Sequence, residues 1–425
     1  MTEMRYEEGV LVGKAYKPGM AFGFRLAVPC VDTASFGLLV EHDGENEANV
    51  KALLKLADEG KAPYCVSVGV QPGWLRYPDG SERYMRMNSY DWFDSEFGDF
   101  VVYELIPYIE KTYGVRFSAS ADLHAVSGGS SGGISAFVTA WFHSDFFHRV
   151  YMSSPSFLAM ARGNEIPYLA RKYEPKPLKI YSEYSENEPN DYFGWSRGID
   201  EEANMALDFA GCDLEVRYFP GEGHCSRYRD ETEAYRRFEW LWQDWDKTPV
   251  TVKGLSPRLA AIVPAAGGWE RCDSFPEPKT EAVPEALRAR YDRVVLSNDG
   301  KVWYAARTSE DWIEMIVNET PCRPDAFLAH SILHTIPRQK TRGAIDMAVD
   351  RTDRLFVLTE TGIQCVRSFG LIDGIRSLPD KSEPKEIAVA DALYVKTADG
   401  CYRRALCPVC VTEGELKRRQ ADYYD

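Results

Sequence analysis

Gly128-Gly129-Ser130-Ser131-Gly132-Gly133 follows the apolar run Leu123 to Ser127 and precedes a helix-forming stretch, so its serines sit on a strand-to-helix turn. Glycines let such a turn bend sharply and hold a hydroxyl above a sheet, at the positive end of the next helix, where a serine nucleophile works. The pattern G-x-S-x-G fits in two registers, centred on Ser130 or on Ser131. A nucleophilic serine needs a histidine base and an acid to orient it, and in hydrolases of this kind both follow it in the chain. His224 meets that order, in Gly221-Glu222-Gly223-His224 just past the apolar run Leu214 to Phe219. His124 belongs to a strand, His143 and His148 bracket a helix-to-strand connection, and His330 and His334 fall in a different module. Between serine and histidine, the acidic loop after Leu178 to Tyr184 offers Glu186, Glu188 and Asp191 as the acid. Together these residue types imply acyl transfer through a serine ester.

Such residues need a scaffold, and from Phe36 to about Asp246 short apolar runs alternate with helix-patterned stretches, as in βαβ units with a largely parallel sheet. The strands expected are Gly37 to His42, Tyr64 to Val70, Leu123 to Ser127, Arg149 to Ser153, Leu178 to Tyr184 and Leu214 to Phe219. The helices expected are Phe97 to Thr112, Gly133 to Phe142, Asp200 to Ala210 and Thr232 to Asp246, with Gly211 as a C-terminal stop. The fold class is α/β, a hydrolase-type domain over residues 1–246. Residues 247–289, rich in proline, glycine and charge, suggest a linker. Short strand-like runs with a turn at Asn298-Asp299-Gly300 suggest a smaller all-β domain over 290–412, followed by a charged tail, 413–425.

Five stretches resemble the α/β-hydrolase family that includes enterochelin esterases and the feruloyl and acetyl esterases. They are Val40 to Gly44, Arg86 to Asp91, Glu104 to Pro107, His124 to Phe137, and Gly221 to His224 with the aromatic stretch Phe238 to Trp242. The family's double glycine after the nucleophile sets the register on Ser130. Its acid position falls on Glu188, where most members carry aspartate. The resemblance places the oxyanion hole at the backbone N–H of Ser131 and that of Gly44 or Glu45. It places Arg86, Asn88, Tyr90, Asp91 and Trp195 near the substrate. The segment from Ala344 to Arg404 resembles blades of gluconolactonase-like propellers, with length for only about three. The propeller's metal-site Asp-Gly-Met reads Ile345-Asp346-Met347 here.

Composition narrows the partners. A net charge of -15 disfavours nucleic acid and anionic lipid, and no uncharged run approaches the roughly eighteen residues that cross a bilayer. No signal-peptide pattern opens the chain, which suggests a cytoplasmic protein. Its 10 cysteines then suggest reduced thiols. Cys401, Cys407 and Cys410 lack a fourth ligand at zinc spacing, so no metal or cofactor is expected. The partner expected is a small-molecule ester. Open propeller edges would need either the proline-rich stretch as a cover or a second chain in a homodimer, the first being preferred. Two other classes compete with the esterase: a metal-dependent sugar lactonase in the β module, and a non-catalytic binding protein on a hydrolase fold.

Overall fold

The computed structural model describes residues 2–161, 163–171, 176–253, 269–277, 283–297, 300, 302–308, 313–317, 320–322, 344–350, 354–360, 362–366, 372–376, 378–380 and 382–406. Two compact units divide the chain: Met1–Arg171 with Pro175–Gly254, and Lys172–Glu174 with Leu255–Asp425. Asn298, Asp299, His330, His334, Cys407, Cys410 and the tail 413–425 lie outside the described residues.

The first unit opens with strands β1 (Met4–Val12), β2 (Ala21–Pro29) and β3 (Gly37–His42), then helix α1 (Glu47–Asp58) and strands β4 (Cys65–Val70), β5 (Trp74–Arg76) and β6 (Glu82–Tyr84). Helices α2 (Arg86–Tyr90), α3 (Glu96–Phe100) and α4 (Ile106–Tyr113) follow, with a π-helical turn at Val101–Leu105 just before Pro107. Next come β7 (His124–Gly129), α5 (Ser131–Phe142), β8 (Arg149–Ser153) and α6 (Ile166–Ala170). The unit ends through β9 (Lys179–Asn187), β10 (Asn190–Asp191), β11 (Gly194–Trp195), α7 (Ser196–Phe209), β12 (Asp213–Gly223) and α8 (Glu231–Leu241).

One sheet in the order β12-β9-β8-β7-β3-β4-β2-β5-β6, with β1 on β2, organises this unit. From β12 to β4 every pairing is parallel. Strands β3, β4, β7 and β8 are buried along their whole length, as strands covered on both faces are, and they carry buried polar residues such as Glu41, His42 and Arg149 among their apolar ones. This mostly parallel sheet fits an α/β-hydrolase domain. Helices α1 and α8 bury Leu53, Leu56, Phe238, Leu241 and Trp242 against Leu39, Ala125, Tyr151 and Tyr181. Asn46 caps α1 by accepting the Ala48 N–H, Asp230 caps α8 through the Thr232 and Glu233 N–H groups, and Gly211, at φ 82°, follows the end of α7.

The first two strands are an addition to what the sequence suggests. β1 runs antiparallel to β2 from Met4↔Pro29 to Val12↔Ala21, and β2 joins β4 antiparallel, so the edge beyond β4 is not parallel. Charges at Arg5, Glu7 and Glu8 hide the alternation of an edge strand exposed on one side. Among the described residues no helix is long and apolar enough to cross a membrane.

Among the described residues, the second unit holds three four-stranded antiparallel sheets. The strands are β13 (Glu270–Cys272), β14 (Arg293–Leu296), β15 (Val302–Ala306), β16 (Ile313–Val317), β17 (Thr320–Cys322), β18 (Asp346–Val349), β19 (Leu355–Leu358), β20 (Ile363–Val366), β21 (Ile372–Arg376), β22 (Pro384–Val389), β23 (Ala392–Thr397) and β24 (Cys401–Ala405). β14 to β17 and β18 to β21 are consecutive meanders, whereas the third sheet runs β13-β24-β23-β22. Here the linker expectation is corrected: Glu270–Cys272 is a strand of the all-β unit, and Glu285–Arg288 is a short helix. Prolines on either side masked a strand only three residues long.

Candidate active site

Parallel pairing of β7 with β3 and β8 brings three strand ends together, although β4 to β6 lie between β3 and β7 in the chain. The turn after β7 carries Ser130 at φ 57° and ψ -127°, a strained conformation for a side-chain-bearing residue. Gly128 is required there, because a Cβ would stand 2.1 Å from the Gly132 carbonyl oxygen. The Ser130 N–H donates to the Ser153 carbonyl at 2.9 Å, and its carbonyl accepts the Ser156 N–H at 3.1 Å. Its Oγ lies 3.1 Å from the Ser156 Oγ. The neighbouring Ser131 is buried and lies beside the Asp91 carboxyl, which burial raises to about 6 and Ser131 counteracts. Of the two serines, only Ser130 stands at the bend.

On the next strand end, Ser154 adopts φ 42° and sends its Oγ to Glu188 Oε1 at 2.6 Å, while accepting the Cys225 N–H at 3.0 Å. The Ser185 N–H donates to the same Glu188 oxygen at 3.0 Å. With that oxygen held, Oε2 meets His224 Nδ1 at 2.5 Å. The carboxylate is fully buried and the imidazole about one-third exposed. Burial alone would raise the Glu188 carboxyl, but its bonds to His224 and Ser154 outweigh that and lower it. Glu186 is exposed and accepts the Gly221 N–H, and Asp191 is exposed and accepts the Phe193 N–H. The structure therefore brings Glu188, and neither competitor, to His224.

Cys225 follows His224 at φ 55° and donates its thiol to the Ser153 carbonyl, which also accepts the Ser130 N–H. Serine turn and histidine loop are thus tied to one carbonyl. Among the described residues, six non-glycine positions have positive φ, and Asp43, Ser130, Ser154 and Cys225 are four of them. Strain of this kind persists only where surrounding structure holds it, and here Ser130, Ser154 and Cys225 are joined through the Ser153 carbonyl and the Ser154 hydroxyl. Ser154 and Cys225 carry no motif, and only their tertiary placement reveals them.

The loop after β3 corrects part of the oxyanion expectation. Gly44 donates its N–H to the Val70 carbonyl at 3.1 Å, so that donor is engaged within the sheet. Glu45 remains, with its backbone nitrogen so close to β4 that a Cβ on Gly69 would stand 2.2 Å from it. The loop is clamped from both ends. Before it, Glu41 accepts from the Asn46 N–H, Ser67 and Asn49. At its centre Asp43, at φ 68°, forms a two-pronged ion pair with Arg86 at 2.8 and 2.6 Å and donates its N–H to the Tyr90 hydroxyl at 2.9 Å.

Three of the residues expected near the substrate are engaged in these bonds. Tyr90 and Asp91 are 1% and 2% exposed, serving the loop and Ser131 from within, and Arg86 is committed to Asp43. Asn88 is exposed, and its carbonyl accepts the Lys17 ammonium. Trp195 is 48% exposed on the β10–β11 hairpin beside the wholly open Tyr192. Burial holds His42 neutral, pushing it down to about 3, and lowers His124 to about 4, so neither competes as a base near neutral pH.

Residues 21–191 match the family model described as "Putative esterase". This esterase match contains Ser130, Glu188 and the Asp43 to Glu45 loop, and it supports ester hydrolysis. No curated protein matches the chain. Among solved structures, a ferulic acid esterase is similar at 17% identity and TM-score 0.44, over 57% of this chain and 99% of that one. The enterobactin esterase of Shigella flexneri is similar at 19% identity and TM-score 0.43, over 56% of this chain and 60% of that one. A siderophore hydrolase of Aspergillus nidulans is similar at 15% and TM-score 0.39, over 56% and 94%.

Proposed function

We propose that the first unit is a serine esterase that cleaves carboxylic esters through an acyl-enzyme. The observation that carries this is the His224 Nδ1 to Glu188 Oε2 bond, made by a loop anchored on the same Ser153 carbonyl that receives the Ser130 N–H. His224 takes the proton of Ser130 as the hydroxyl attacks the ester carbonyl, and Glu188 steadies the imidazolium. The Ser131 and Glu45 N–H groups face the developing oxyanion. His224 then returns the proton to the leaving alcohol, and water, deprotonated by the same ring, releases the acid. The substrate class we favour is a carbohydrate or siderophore ester, on the resemblance of the five sequence stretches. The three small sheets support reading the second unit as a fragment of a propeller, its last sheet sealed by its first strand.

The test is hydrolysis of a short-chain and feruloyl ester panel by the purified protein, with Ser130→Ala alongside. Loss of at least about a thousandfold in Ser130→Ala, with unchanged unfolding, is expected. Comparable rates in that variant, or a selective loss in Ser131→Ala, would refute the assignment.

A further inference from the structure

Among the described residues, strand β13 is an edge of the third sheet and is only three residues long, yet it ties the first described segment of the second unit to its last described strand. Its register on β24 is Glu270↔Arg403, Arg271↔Tyr402 and Cys272↔Cys401. Two cysteines therefore stand directly opposite each other on adjacent antiparallel strands, both as thiols and both partly exposed. Direct cross-strand partners have Cα atoms roughly 4.5 to 5.5 Å apart, inside the range a disulfide spans. Their Cβ atoms, at about 4.5 to 5.5 Å, need to close by up to about 1 Å, which a short edge strand can do. Other ties on β13 are weak: Glu270 and Arg403 pair at 3.1 Å with both side chains at least half exposed, and Arg271 donates to the Asp399 carbonyl.

We propose that Cys272 and Cys401 are a disulfide pair that latches the closing strand of the second unit. A low-molecular-weight disulfide is the oxidant: one cysteine thiolate attacks it, forming a mixed disulfide and releasing one thiol. The facing thiolate then displaces the second thiol, so two protein thiols are oxidised, one external disulfide is reduced to two thiols, and the protons end on those thiols. Because the bond encloses roughly 130 residues, it removes much freedom from the unfolded chain and costs the folded strand little.

Incubating the full-length protein with oxidised glutathione, then alkylating free thiols and mapping peptides, tests this directly. A linked Cys272–Cys401 peptide is expected, with an unfolding midpoint at least about 4 °C above that of the same protein treated with dithiothreitol. Cys272→Ser and Cys401→Ser should each fold, lack the linked peptide, and show no such difference. Two separately glutathionylated cysteines, a bond from either to another cysteine, or a linked protein that melts no higher would each overturn the proposal. Ester hydrolysis is not a readout here, so the outcome is independent of the catalytic assignment.

Discussion

His224 is pulled in two directions. Burial lowers its affinity for a proton, but its bonds with Cys225 and Glu188 raise it, and the balance leaves the imidazole at about 10. In the proposed mechanism His224 must be neutral to accept the Ser130 proton, so activity on an activated ester should rise with pH well above the usual histidine range. Cys225→Ala should move that acid limb to lower pH, as a profile of kcat/KM would show; an unmoved limb would mean the sulfur has no part in it. The same shift adds to stability. Because the folded state holds the proton more tightly than the unfolded chain, the contribution is complete below pH 6.5 and is lost as pH climbs toward about 10. Ser154 tests the orientation of Glu188. Ser154→Gly relieves the strain at φ 42° while deleting the hydroxyl that orients Glu188. Relief of strain offsets only part of the lost bonds to Glu188 and Cys225, so its unfolding midpoint should fall modestly while kcat falls by roughly tenfold or more, a scale set by losses of orienting partners elsewhere. Full activity in this variant would remove Ser154 from the positioning machinery.

At the level of elements, sheet order decides which loops meet at the candidate site. β3 sits beside β7, so the Asp43 to Glu45 loop and the Ser130 turn emerge together from adjacent parallel strands. Helix α5 begins at the turn, and α2 approaches the loop with Arg86 and Tyr90. Since Arg86 holds Asp43, Arg86→Gln should let the loop relax and lower kcat by about tenfold, with KM changed less than about twofold. Steady-state kinetics on one ester distinguish the roles: a loss carried mainly by KM would return Arg86 to direct substrate contact.

For the molecule as a whole, the two units predict where the chain can be cut. The segment after α8 still belongs to the first unit, since Val250 donates to the Asp122 carboxylate at 2.8 Å and Lys253 to the Gly211 carbonyl at 2.8 Å. A protein ending at Gly254 should therefore fold cooperatively and keep kcat/KM on an activated ester within about threefold. One ending at Asp246 loses both bonds and should melt several degrees lower in calorimetry. If the longer fragment folds but is inactive on esters the full chain cleaves, the second unit takes part in catalysis or binding.

The sequence by itself determined the parallel strands and the serine turn, because each is written in local spacing of apolar runs and paired glycines, whereas the stretches expected as loops at Gly221 to Gly223 and at Glu186 are the ends of β12 and β9. Six strands were legible within a few residues of their ends, and β3 and β8 residue for residue. Tertiary structure alone decided which partner each group meets. Glu188 rather than Glu186 reaches His224 because β9 extends to Asn187 and the Ser154 hydroxyl takes its other oxygen. The Gly44 N–H is lost to the Val70 carbonyl because β3 and β4 stay in register to their ends. Cys272 and Cys401 meet only through the register of β13 on β24. Local patterns fix the turn a residue occupies, but its hydrogen-bond partner depends on strand order and register, which contacts distant in the chain set.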